Sequence, residues 1–218
     1  MHFFGKIQKF DLLVSIYIAS LVLAEVMGGK TFPLVNLFGY QLNSSVAIFL
    51  FPLLFTINDV ITEVYGKERT RSVIRSGLLM IALVFICSIA FTALPPSGRF
   101  AANNDAYTTI FGLSARISAA SLIAFAIAEF IDVIVFVKVR KAFGKKALWL
   151  RNNVSNFIAQ FFDTAIFMTL AFYALDRDFS SNMIFLVSLI IPYWLLKSFM
   201  SIIETPLVYA GVKWLKQK

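Results

Sequence analysis

The sequence predicts an all-α integral membrane protein: one domain over residues 1–218, six transmembrane helices, and both termini in the cytosol. Three observations predict it. The chain is 59% hydrophobic and only 15% charged, too few charges to cover a soluble globule of this size. Its apolar residues fall in six continuous runs, each long enough to cross about 30 Å of hydrocarbon at about 1.5 Å per helical residue. Its basic residues collect in alternate gaps between those runs.

The runs are Leu12–Met27, Ser44–Thr62, Val73–Leu94, Leu113–Val137, Val154–Leu175 and Met183–Thr205. They are continuous, not alternating, so they read as helices and not as strands of a barrel. The first resembles a signal peptide, because Lys6 and Lys9 precede it. No small-x-small cleavage site follows, so it reads as a retained helix, with Glu25 interfacial at its far end. One set of gaps holds Lys6 and Lys9, then Lys67, Arg69, Arg71 and Arg75. The same set continues with Lys138, Arg140, Lys141, Lys145, Lys146 and Arg151, then Lys213, Lys216 and Lys218. The other set holds only Lys30, Arg99 and Arg177, in loops whose longest stretches are Gly28–Asn43 and Pro95–Gly112. Positive residues stay inside, which places both ends in the cytosol.

Composition also excludes. The net charge of +8 is spread through loops between spans, which argues against nucleic acid. Cys87 is the single cysteine and His2 the single histidine, so no internal disulfide, metal site, cofactor or His-based catalysis is expected. "GGKT" at Gly28–Thr31 has the tail of a phosphate-binding loop, but Ala24 stands where its first glycine is required.

The informative residues are polar groups inside the spans, each costing about 2.5–3.5 kcal/mol on insertion scales. They are Asp59, Glu129, Asp132, Asp163, Lys197 and Glu204. Asp59 and Glu63 share a helix face, as do Glu129 and Asp132. Asn156, Gln160 and Asp163 make a stripe at i, i+4 and i+7. Tyr193, Trp194, Lys197, Ser201 and Glu204 make a second. Asp59, about 15 residues from the outer start of its helix, lies roughly 22 Å deep. Glu129, Asp163 and Lys197 fall between the midplane and the cytosolic third, so the four faces can line one cavity.

Carboxylates, amides and one lysine suit a polar planar ligand with several N–H donors. Phe55, Phe161, Tyr193 and Trp194 are candidates to stack on it. The excess of acids also suits a cationic ligand, or proton coupling through Glu129, Asp132 or Asp59. Bland alternatives stand beside each. Asp59 and Glu63 can pair with Lys67 or Arg71 at a helix end. Lys197 or Arg116 can close a Glu129–Asp132 packing network, and Lys197 can pair with Glu204. Asn156 and Gln160 can bridge helices structurally. Ala120, Ala124 and Ala128 suit internal packing or a subunit interface.

Three blocks then carry a resemblance: "FPLLFTINDVITEVYGKERTR" from Phe51, "RISAASLIAFAIAEFIDVIVF" from Arg116 and "LWLRNNVSNFIAQFFDTAIF" from Leu148. With "YWLLKSFMSIIETPLVYAGVKWL" near the end, the chain resembles the queuosine precursor transporter family, also called the vitamin uptake transporter family. The resemblance implies uptake of 7-deazaguanines, the 7-cyano and 7-aminomethyl precursors, across the cytoplasmic (inner) membrane of a bacterium. Its motifs fall on Asp59, Glu63, Arg71, Arg116, Asp132, Arg151, Asn152, Asp163 and Lys197.

The expected function is a secondary carrier and not an enzyme. Its partners are the lipid bilayer and a small planar heterocycle, with a homo-oligomer or an ATPase partner left open. Expected substrate-binding residues are Asp163, Gln160, Asn156, Glu129, Asp132, Asp59, Lys197 and Trp194. Two rivals remain: a substrate-capturing subunit served by separate ATPases, and an intramembrane enzyme built on an Asp59–Asp163 dyad.

Overall fold

The computed structural model describes residues 8–143 and 148–216, leaving aside the side chains at 129–130, 132–133, 136–137, 139–143, 148–156 and 201–203. Among the described residues, helices α1 (Lys9–Met27), α2 (Phe51–Tyr65), α3 (Lys67–Thr92), α4 (Asn104–Phe143), α5 (Leu148–Phe172) and α6 (Phe179–Lys216) form the body. Among the described residues, five stretches are long and apolar enough to cross a membrane: Lys9–Met27, Val46–Tyr65, Lys67–Thr92, Ala101–Ala128 and Phe179–Met200. The described residues of α5 include the apolar stretch Phe157–Phe172. The chain is a multi-pass membrane protein.

Several elements outrun their apolar runs. α4 is 40 residues long, about 60 Å at 1.5 Å per residue, well beyond one hydrocarbon thickness. Hydropathy marks only the part of a helix that needs lipid, whereas a basic tail such as "VKVRKAF" remains helical without it. α6 runs for 38 residues and contains Pro192 and Pro206. Neighbouring helices tolerate such prolines in a span by satisfying the freed backbone groups.

The loop after α1 departs from the all-α expectation. It folds as an antiparallel hairpin, β1 (Thr31–Leu37) and β2 (Tyr40–Ser45), joined by Phe38 and Gly39. Both turn residues have positive φ, 51° and 86°, the mirror-image turn whose twist matches a hairpin. Asn36 Oδ1 accepts the Gly39 N–H at 3.0 Å and steadies it. The register slips between Pro33 and Val35, where proline has no N–H to give the ladder.

The hairpin is tied to α6. The Tyr40 hydroxyl donates to the Ile184 carbonyl, Asn43 Nδ2 donates to Ser188 Oγ at 2.8 Å, and Tyr193 Oη donates to the Ser45 carbonyl at 3.1 Å. At that same end Arg116 Nε donates to the Leu170 carbonyl at 2.9 Å, and its guanidinium also reaches the Tyr173 carbonyl. Arg116 therefore satisfies carbonyls that the end of α5 leaves open. At the opposite end Lys9 Nζ donates to the Trp214 carbonyl at 2.7 Å, joining the start of α1 to the end of α6. The Phe10 ring there meets Tyr65 edge-on at 4.8 Å and lies 4.7 Å from the Arg69 guanidinium.

In the body α4 packs against α3 and α5, α6 against α2 and α5, and α1 against α2, α3 and α4. Ala120 is buried with Ile117 and Ala171, so small side chains let α4 and α5 approach closely. A Cβ on Gly77 would stand 3.0 Å from Leu21 Cδ2 and 3.2 Å from Tyr17 Cε1, which makes α1 and α3 equally intimate.

Candidate functional site

All six helices contribute to a cavity of about 330 Å³, inside the roughly 300–1,000 Å³ range of small-molecule sites. Most of its wall is apolar or aromatic. Phe51 and Phe55 come from α2, Phe125 from α4, Phe167 from α5, Tyr17 from α1 and Tyr193 from α6. The polar groups are few: Glu25, Asn58, Ser121, Asp163 and Lys197, with Ser45 from the hairpin.

Asp163 and Lys197 meet in this wall. Lys197 Nζ donates to Asp163 Oδ2 at 2.8 Å, with the two side chains 12% and 31% exposed respectively. The ammonium also lies 5.4 Å from the Phe51 ring centroid. Each charge answers the other, which is how a span can hold both. Lys197 therefore pairs with Asp163 and not with Glu204.

Glu25 corrects the interfacial reading. It is only 5% exposed and lines the cavity. Ser121 Oγ donates to its Oε1 at 2.9 Å, while Oε2 is buried with no hydrogen-bond partner. Asn58 Oδ1 is buried in the same condition. A signal for Glu25 was present: Tyr17, Leu21, Glu25 and Gly28 follow helical spacing and all face the cavity. Proximity to the helix end had masked it.

Other expected residues stand elsewhere. Asp59 lines a separate groove of about 280 Å³ with Glu63, Glu204 and Tyr209, so it does not face Asp163. The reason is helical: consecutive residues diverge by about 100°, and Asn58 takes the cavity direction. Trp194 follows Tyr193 and diverges likewise. Its Nε1 donates to the Phe157 carbonyl at 3.1 Å, and its ring packs on Phe157 and Phe161. Gln160 is not part of the cavity wall either. Arg71 pairs with Glu68 at 2.7 Å, not with Asp59 or Glu63. Glu129, Asp132 and Asn156 lie outside the described residues. Among those described, no cluster of three His, Cys, Asp or Glu is arranged to hold a metal ion.

A polar pair, a buried carboxylate and six aromatic rings can hold a small planar polar molecule between its faces while contacting its edge.

Known proteins place the chain. A protein of Bacillus subtilis (strain 168), described as "Probable queuosine precursor transporter", is 31% identical over 213 residues, 97% of this chain and 87% of that protein. A protein of Haemophilus influenzae (strain ATCC 51907 / DSM 11121 / KW20 / Rd) with the same description is 27% identical over 135 residues, 62% of this chain and 54% of its own length. No solved structure matches. The family model described as "Putative vitamin uptake transporter" matches residues 45–211. With that match covering most of its length, the chain belongs to the vitamin uptake transporter family, which includes the queuosine precursor transporters.

Proposed function

We propose that this protein imports 7-deazaguanine precursors of queuosine, the 7-cyano or 7-aminomethyl base, as a secondary carrier in the bacterial inner membrane. The observation that carries the proposal is the cavity, whose paired Asp163 and Lys197 sit among aromatic walls. A heterocycle with a donor–acceptor edge can trade hydrogen bonds with that pair while its faces lie against Phe51, Phe55 or Phe167. The descriptions of the two relatives support the substrate class.

We place α5 as a sixth span and both ends in the cytosol, on the asymmetry of basic residues. Asp59, with Glu63 and Glu204 in the separate groove, is a candidate for proton movement, as are Glu129 and Asp132.

The test is uptake of labelled base by cells that cannot make it. Expression of the protein restores accumulation, and Asp163→Asn abolishes it at equal protein level. Accumulation equal to wild type in Asp163→Asn removes the pair from the mechanism. Transport by purified protein in liposomes, without added ATPase, supports a carrier. Strict need for partner chains would replace that reading with a capture subunit.

A further inference from the structure

Three charged side chains face the cavity among the described residues: Glu25, Asp163 and Lys197. Asp163 and Lys197 neutralise each other at 2.8 Å. Glu25 has no basic partner in that wall; Ser121 holds one of its oxygens, Ser118 also faces the carboxylate, and Oε2 makes no hydrogen bond. A buried carboxylate in this position is costly unless it takes a proton or finds a cation. The Ser121 hydroxyl can donate to the ionised form and fixes the direction of the carboxylate in the cavity wall, while Oε2 makes no hydrogen bond.

We propose that Glu25 is the specificity-determining residue for charge: it accepts the ammonium arm of a cationic planar base and makes the cavity prefer that form over its neutral counterpart. This rests on the deazaguanine reading above. A primary ammonium supplies the missing positive charge and a donor for the carboxylate in one group. A nitrile arm offers neither charge nor donor, so it leaves the carboxylate unanswered. The roles in the cavity then divide. The Asp163–Lys197 pair meets the heterocycle, the aromatic rings hold its faces, and Glu25 reads the substituent.

The experiment is equilibrium binding of 7-aminomethyl-7-deazaguanine and 7-cyano-7-deazaguanine to purified protein in detergent, for wild type, Glu25→Gln and Ser121→Ala. The expected wild type binds the aminomethyl base more tightly. Glu25→Gln then loses roughly tenfold or more for that base, the scale of a charge-assisted hydrogen bond, and is nearly unchanged for the cyano base. Ser121→Ala narrows the preference while keeping the carboxylate, and it carries the test if Glu25→Gln proves unstable in size-exclusion chromatography. An unaltered preference in a folded variant overturns the assignment. So does equal weakening for both bases, or a wild type without preference. Binding of neither base by wild type overturns the proposed function instead.

Discussion

Asp163 and Lys197 show what a single residue declares and what it hides. Each was legible as costly, because a charge in an apolar run demands an explanation. Their partnership was not, since helical spacing relates residues within α5 or α6 but says nothing across them. The same limit decided Asn58 against Asp59 and Tyr193 against Trp194. In each case adjacent polar residues competed for one direction, and packing chose. The pair also gives a stability prediction. Removing one member strands a partly buried charge, so Asp163→Asn and Lys197→Met singly should each lower stability by about 1–3 kcal/mol. The double variant should cost less than the sum, and uptake should remain absent. Thermal unfolding of the four proteins in detergent measures the coupling. Simple additivity would mean that the 2.8 Å contact contributes nothing.

Among elements, the helices were legible and the hairpin was not. Continuous apolar runs identify spans, although their ends drift: α3 begins at Lys67 instead of Val73, and α4 at Asn104 instead of Leu113. Residues 31–43 mix polar and apolar side chains between two such runs, so they read as a loop with turn signals, and Ser44 and Ser45 read as the start of the next span although they close β2. Their structure is decided by tertiary bonds to α6 that no local pattern encodes. Tyr193 both lines the cavity and holds the Ser45 carbonyl at 3.1 Å. Tyr193→Phe should therefore keep the wall and release the strand. Expected are a loss of about 1 kcal/mol and faster deuterium uptake across Tyr40–Ser45, with α6 unchanged. Protection of that strand equal to wild type would show that Tyr40 and Asn43 suffice to hold it.

At the scale of the whole molecule, membrane character was legible because it is a property of composition. The convergence of six helices on one cavity is of another kind. It depends on which faces pack, and only part of the polar set expected to converge does so. The end far from the hairpin has a further consequence. There the aromatic ring of Phe10 touches both Tyr65 and Arg69, and Lys9 grips Trp214. The first and last helices are thus hasped together at that end, and under the proposed carrier reading a swing that opens this end to water has to spring the hasp. Trp214 would then exchange a cation 5.3 Å from its ring for bulk solvent. With Trp149 and Trp194 replaced by Phe, its emission should shift to the red during turnover and stay fixed in a protein whose ends are cross-linked.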